Sequence, residues 1–339
     1  MRLGIGYLRD DSCGVPRLVG AAGAQLVDIA RAAEAALRRR GASRERAAQL
    51  TAAAFPASLT QVLSGGAAVT DAVRRLLDEP AEDSWIDPGG LRLGCPVDPP
   101  SYRDFMSFDE HVRNTYAPGG RPPPEVLYQL PSYYKGSTAT LIGPGDEVRW
   151  PHYAATLDYE LEFALVIGAA GVDLAPSSAL DHVFGVTVLS DFSARDMQFT
   201  EMKSRLGPAK GKDFATAVGP WVVTLDELDL GTLTLSAAVN GQQVARGCAS
   251  SALWSAAELV AWASAAEPLR PGDLLGSGTV GGGSGLEHDR MLAAGDVVEM
   301  TVEGVGTLRN RIGPRAAPGY LPEPKRMAPQ AGPDIRAGS

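Results

Sequence analysis

Cysteine is scarce: three residues in 339, Cys13, Cys95 and Cys248, far apart and odd in number. They make no CxxC pair and no disulfide framework, and they point to a reducing cytoplasm. HExxH, CxxC and the G-x-S-x-G elbow are all missing, which removes zincins, zinc ribbons and α/β-hydrolases. Positive charge is in deficit, with 31 Lys and Arg against 40 Asp and Glu and a net charge of −9. A nucleic-acid partner needs a basic face to neutralise phosphates, so none is expected. The same deficit means that an anionic substrate must be drawn in by local cations or a metal. Long apolar runs are also lacking. Phe163 to Ala175 is broken by Asp173 and falls short of the ~20 residues of a membrane helix. The opening MRLGIGYLRDDS has no apolar stretch of the length a signal peptide requires. A cytoplasmic protein away from membranes is expected.

What is present is ordinary for a globular chain: 45% hydrophobic and 21% charged residues. The length suggests two domains, or one with a substantial extension. Arg2 to Leu8 and Arg17 to Val27 read as strands, and Asp28 to Arg40, Arg44 to Ala54 and Val69 to Asp78 have helical spacing. A small α+β unit over residues 1–98 is predicted. The connector Cys95-Pro96-Val97-Asp98-Pro99-Pro100 bounds it. A strand-rich region over 101–315 follows: Asp158 to Ile167, Val183 to Ser190, Trp221 to Leu225, Thr232 to Val239 and Val297 to Val302. Asn240-Gly241 marks a hairpin, because a type I′ turn needs positive φ at both central residues. Ser255 to Ala265 is the one helix expected there. Residues 316–339, rich in Pro, Gly and Ala without periodicity, are expected to be a disordered tail.

Glu160 and Glu162 lie two residues apart in DYELEFALVI, which puts both carboxylates on one strand face, about 7 Å apart along the chain. Two converging carboxylates suit a hard, oxygen-seeking cation. The same alternation also fits two solvent-facing glutamates over a core of Leu157, Tyr159, Leu161 and Phe163. Asp191 closes the apolar strand VFGVTVLS, and Arg195, Asp196 and Gln198 follow within a short segment that also fits a solvated loop. With the Glu-x-Glu pair, a third carboxylate makes an oxygen triad. Lys210 and Lys212 sit in the Gly-rich LGPAKGKDF, either as a surface loop or where a cation could stabilise developing negative charge. This is no P-loop: Gly207 and Gly211 are one residue too close, and Asp213 stands where Ser or Thr is required. Gly276-Ser277-Gly278-Thr279-Val280-Gly281 matches GxGxxG, but no helical pattern follows to hold a pyrophosphate. An active-site loop is the better reading. His111, one of four histidines, is either an incidental residue or a general base needing an orienting carboxylate, for which Glu287 is a candidate.

The segments LDYELEFALVIG, VFGVTVLSDFSARDMQ, GKDFATAVGPWVVTLDEL, LRPGDLLGSGT and LAAGDVVEMTVEGVGTLRN, in this order from about Ser101 to Arg311, resemble the fumarylacetoacetate hydrolase superfamily. The resemblance implies a β-rich α+β fold: a mixed β-roll catalytic domain, here behind the small N-terminal domain, usually dimeric and holding one Mg²⁺ or Ca²⁺. It implies that Asp104, Glu160, Glu162 and Asp191 bind the metal. His111 would be the general base, oriented by Glu287, and Lys212 would stabilise the oxyanion. Arg195, Gln198, Tyr134 and Thr279 would surround the substrate. Met202 stands where the larger hydrolases place another substrate tyrosine, and either Arg113 or Arg121 could reach the substrate. The implied reaction is hydrolysis of a C–C bond in a small β-diketo, acylpyruvate-like acid. The alternative is a metal-dependent tautomerase, decarboxylase or hydratase of a 2-oxo acid on the same fold.

Overall fold

The computed structural model describes residues 1–11, 13–120 and 122–325. Strands β1 (Arg2–Leu8), β2 (Arg17–Ala22) and β3 (Gln25–Asp28) open the chain. The single strand expected from Arg17 to Val27 is bent into a hairpin at Gly23, whose φ of +62° suits a residue without a Cβ. Asp28 ends β3 and caps α1 (Ile29–Arg39) by accepting from the Arg31 backbone N–H. Ser43 caps α2 (Arg44–Ala54) in the same way. Helices α3 (Leu59–Ser64) and α4 (Ala67–Asp78) and the short strands β4 (Trp85–Ile86) and β5 (Leu91–Leu93) complete the unit. Hydrogen bonding runs across the expected boundary, because Arg2 and Leu3 pair with Val223 and Val222. One core also spans it, with Leu3, Ile5 and Val97 packed with Ala164, Val166, Leu189 and Val222.

Beyond the connector come β6 (Tyr102–Phe105), α5 (Asp109–Tyr116), β7 (Tyr133–Gly136), β8 (Leu141–Ile142) and β9 (Glu147–Trp150). Then follow β10 (Leu161–Ile167), α6 (Pro176–Ala179), β11 (Val183–Asp191), α7 (Arg195–Met202), β12 (Thr216–Val218) and β13 (Val222–Thr224). The last elements are β14 (Thr234–Val239), β15 (Gln242–Cys248), α8 (Ala256–Ser264), β16 (Leu274–Gly276), β17 (Val297–Val302) and β18 (Gly306–Arg315).

Two mixed sheets result. The larger has 13 described strands along β4-β3-β2-β1-β13-β11-β10-β16-β6-β7, with β5 on β1 and β12 joining β11 to β8. The smaller runs β15-β14-β17-β18-β9. Strand β10 is buried on both faces, which explains its near-continuous apolar run. Phe163, Leu165 and Ile167 face Leu235, Val298, Met300 and Val302 of the smaller sheet. Ala164 and Val166 face the core shared with the N-terminal unit. Asn240 and Gly241, at φ +54° and +77°, make the expected turn between β14 and β15. Ser255 and Glu258 form a capping box at the start of α8.

The three cysteines are free, and no described helix is long and apolar enough to cross a membrane. Residues 316–325 form no regular element, although the Ala316 N–H donates to the Trp150 carbonyl. Residues 326–339, the rest of the expected tail, lie outside the described residues.

Candidate active site

The order β11-β10-β16-β6-β7 brings the acidic residues to one end of the larger sheet. Asp191 ends β11, Glu162 lies on β10, Asp104 on β6, and Tyr134 on β7 pairs directly with Asp104. Between Glu162 and Asp104 runs β16, whose Gly276 pairs with both Asp104 and Ala164. Strands two apart are separated by about 9–10 Å, so the two carboxylates must lean over the strand between them. Glycine permits this. A Cβ at position 276 would lie 2.4 Å from Asp104 Oδ1 and 3.2 Å from Glu162 Oε2. Carboxylate oxygens of Asp104, Glu162 and Asp191 consequently lie within 4.8 Å of one another.

Each carboxylate is held by donors. Tyr102 Oη donates to Asp104 Oδ2 (2.7 Å) and Tyr134 Oη to Asp191 Oδ2 (2.9 Å). The Gly278 N–H donates to Glu162 Oε2 (2.8 Å) and Thr279 Oγ1 to Glu162 Oε1 (3.3 Å). The GxGxxG stretch therefore serves as a carboxylate-holding loop. Gly278, at φ +83°, is pressed against the Phe105 carbonyl, where a Cβ would lie 2.4 Å away.

Both glutamates are buried, which decides against the solvent-facing arrangement. Glu160, the fourth expected ligand, is also engaged by cations. Its Oε2 accepts from Lys212 Nζ (2.5 Å), and its Oε1 lies 2.8 Å from Arg195 Nη2. Lys212 Nζ also donates to Asp191 Oδ2 (2.5 Å) and Ser193 Oγ (2.7 Å). Glu160 thus stands beside the triad, its two oxygens turned to two cations. Burial alone would raise its pKa; Lys212, Arg195 and His111 outweigh burial and hold it below the usual carboxylate range. Burial would likewise depress Lys212, but Asp191 and Glu160 keep it charged, above the ordinary lysine range.

The triad behaves in the opposite way. Glu162 is pushed well above the usual range by burial first, then by Asp104, Glu160 and Asp191. Asp191 is raised by burial, with Lys212 opposing and Asp104 and Glu160 adding to the rise. Burial also raises Asp104, against the pull of Glu162, Lys212 and Tyr102. Five buried carboxylates (Asp104, Asp158, Glu160, Glu162 and Asp191) face two buried cations, Lys212 and Arg195. Two like charges 4 Å apart cost about 4 kcal/mol even at an effective dielectric of 20. The residues therefore fit one further divalent cation, held by Asp104, Glu162 and Asp191. The buried Asp104 Oδ1 has no hydrogen-bond donor among the described residues. An all-oxygen donor set of this kind suits a hard divalent cation.

The expected dyad is assembled. His111 Nδ1 lies 2.7 Å from Glu287 Oε1. Asn114, one turn along α5, donates to Glu287 Oε2 (2.8 Å), as does the Gly282 N–H (2.7 Å). Ser284 N–H and Oγ add bonds to Oε1. Burial would raise Glu287, but His111, Asn114 and Gly282 together hold it below the usual carboxylate range. His111 Nε2 points the other way, 3.9 Å from Glu160 Oε1. A cavity of about 180 Å³ lies here, lined by His111, Glu162, Asp191 and Lys212 and by Tyr134, Gln198 and Thr279.

Arg195 does not line this cavity. It is buried behind Glu160, where Nε donates to Asp158 Oδ2 (2.8 Å) and Nη1 to Gln198 Oε1 (3.0 Å). Its guanidinium fixes Glu160 and leaves the Gln198 amide nitrogen to face the cavity. Arg113 lies on the outer side of α5, paired with Asp109 at 2.6 Å. Arg121 lies outside the described residues. Asp158 escaped the sequence reading, although it continues the alternation of Glu160 and Glu162. It also accepts from the Gly285 and Leu286 N–H groups at the foot of the Glu287 turn. Tyr102, Asn114 and Ser193 were missed as well. Glu201 closes the lysine loop by accepting from the backbone N–H groups of Ala209, Lys210 and Gly211.

A family model described as the C-terminal region of fumarylacetoacetate (FAA) hydrolase matches residues 101–313. Protein Rv2993c of Mycobacterium tuberculosis is 37% identical over 207 residues, 61% of this chain and 72% of its own length. The oxaloacetate tautomerase YisK of Bacillus subtilis is 35% identical over 227 residues, 66% and 73% of the two chains. Maleylpyruvate hydrolase of Sphingobium sp. SYK-6, solved with manganese(II) and pyruvate, shares the fold with a TM-score of 0.67 at 22% identity, over 93% of this chain and 100% of that one. The match spans the strands that carry the triad, the lysine loop and the His–Glu dyad, and the chain belongs to the fumarylacetoacetate hydrolase family.

Proposed function

We propose that this protein is a metal-dependent hydrolase that cleaves a C–C bond in a small β-diketo acid, with water activated by His111 and Glu287. The observation that carries the reading is the intact dyad on the wall of the carboxylate-lined cavity. Glu287 accepts the Nδ1–H of His111, which leaves the Nε2 lone pair to take a proton from water. The resulting hydroxide attacks the carbonyl distal to the substrate carboxylate. Collapse of the adduct breaks the C–C bond, giving a carboxylic acid and the enolate of a 2-oxo acid. The His111 imidazolium, stabilised by Glu287, then returns the proton to the enolate carbon. Lys212, charged and buried beside the triad, lowers the energy of the developing oxyanion. Asp104, Glu162 and Asp191, with Glu160 beside them, would hold a divalent cation, which would supply Lewis-acid stabilisation of charge on substrate oxygens.

Tautomerisation of a 2-oxo acid is the second reading, favoured by the 35% identity to an oxaloacetate tautomerase. His111→Ala separates the two. Pyruvate release from acylpyruvates should fall at least ~10²-fold in kcat. A tautomerase should lose activity through the metal ligands and keep most of it in His111→Ala. Retained C–C cleavage in this variant would overturn the proposed mechanism. We further infer a homodimer from the family, so light scattering should give twice the 35.5 kDa of one chain.

A further inference from the structure

Lys212 reaches its place from a segment with no regular structure to hold it. Residues 203–215 run in turns and bends between α7 and β12, and Arg205 sits at φ +63°. Residues 203–210 are exposed or half-buried, whereas Gly211 and Lys212 are buried. Gly207 and Pro208 of the same segment line the cavity beside Lys212. A lysine stem carries high rotamer entropy, so three donations from one Nζ require a fixed backbone beneath it. Helix α7 supplies that support at both ends. Near its start, the Ala194 N–H donates to the Gly211 carbonyl (2.8 Å), and a Cβ on Gly211 would lie 2.6 Å from Gln198 Cα. Near its end, Glu201 Oε2 accepts from the Ala209 and Gly211 N–H groups (3.0 and 2.9 Å), and Oε1 accepts from the Lys210 N–H (2.8 Å). Lys203, Arg205 and Lys210 are exposed on the same segment, yet both oxygens of Glu201 turn to the backbone.

We propose that Glu201 is a positioning residue: by filling the concavity of three successive N–H groups it fixes the turn from which Lys212 reaches Glu160, Asp191 and Ser193. This rests on the role given to Lys212 above. Successive N–H groups turned to one point form an anion-binding concavity, and their bonds to a carboxylate are stronger than those to a neutral acceptor. Without the carboxylate the three N–H dipoles repel one another, and the turn opens. Lys212 Nζ then loses its fixed approach to the buried carboxylates. A small carboxylate supplied from solution has the chemistry to take the place of the Glu201 side chain.

The test reads Lys212 directly, by acetylation of the full chain with acetic anhydride and mass spectrometry of each lysine. Lys212 is 3% exposed, and it should react at least ~10-fold more slowly than Lys203 and Lys210, because reaction requires local opening. Glu201→Ala should lose this protection, and formate should restore it while chloride at the same ionic strength should not. On an acylpyruvate, Glu201→Ala should lower kcat at least ~10-fold with KM less affected, as expected for a weakened oxyanion donor. Formate should recover part of the loss, and Glu201→Ala should add little in a Lys212→Met background. Unchanged protection of Lys212 in a folded Glu201→Ala protein overturns the proposal, as does a loss that formate does not restore. A kcat loss that is undiminished in the Lys212→Met background also overturns it. Should Glu201→Ala fail to fold, Glu201→Gln, which keeps one acceptor oxygen, should lose part of the protection, and full protection there overturns the proposal. If the unaltered protein cleaves no acylpyruvate, the hydrolase reading falls, and the labelling alone decides whether Glu201 positions Lys212.

Discussion

Asp158 lines no part of the cavity, yet it holds Arg195, which holds Glu160 and Gln198. Removing one partner of a buried ion pair costs about 3–5 kcal/mol, because the other charge is left uncompensated. Asp158→Ala should therefore lower the unfolding free energy by an amount of that order, while Asp196→Ala, at a half-buried carboxylate that accepts from the Ala155 N–H, should have a smaller effect. The dyad calls for a different measurement. Glu287→Gln keeps the shape but weakens the support of an imidazolium, so kcat should fall nearly as far as in His111→Ala. The double variant should be little worse than either, since residues acting as one unit do not add. Additive losses would mean that the two act independently. Most of these residues were legible in the sequence, because they are charged groups at strand ends or in glycine-rich turns. Asp158 was not: a carboxylate two residues before a Glu-x-Glu pair looks like more of the same alternation, and only the fold reveals that Arg195 turns back to meet it.

At the scale of elements, long periodic segments were readable and short functional ones were not. Strands β1 and β17 and helix α2 fall where their patterns place them, since each has enough repeats to declare its period. Helix α7 has eight residues, no side-chain cap and a polar inner face, so SARDMQ reads as a loop. The arginine, glutamine and methionine on that face serve the site rather than the core. Helix α5 is hidden for the same reason, with His111 and Asn114 reaching Glu287. The N-terminal unit supplies no residue to the described cavity wall, and we propose that it has a purely supporting role. Its β1 covers the edge of β13, and its core covers Leu189, Val218 and Val222. A chain beginning at Ser101 should accordingly lose cooperative unfolding and bind a hydrophobic dye, even though the proposed catalytic residues are retained. A cooperative, dye-silent truncated protein would show that the unit is dispensable.

At the scale of the whole molecule, the concentration of buried acid at one end of the sheet couples folding to cation binding and to pH. Asp104, Glu162 and Asp191 have pKa values raised from ordinary values of 3.8 and 4.5 when no cation is present. The folded chain then holds protons more tightly than the unfolded chain. Their contribution to stability is complete below the ordinary values and is lost as pH rises through the raised ones. Glu160, whose pKa is lowered, works in the opposite sense, losing its contribution only as pH falls below its ordinary 4.5. In excess chelator, the melting temperature should thus decline as pH climbs from about 5 toward neutrality, an interval in which the contribution of Glu160 is constant. A divalent cation replaces those protons, so its stabilising effect should be small at pH 5 and grow over the same interval. At a hundred times its Kd, a ligand specific to the folded state adds about 2.7 kcal/mol. Melting curves across pH with Mg²⁺, Ca²⁺ or chelator read this directly. The Asp104→Asn, Glu162→Gln double variant, with two of the three charges removed, should lose both the decline and the cation response. A cation effect of equal size at every pH, or one that survives in the double variant, would place the ion elsewhere on the protein.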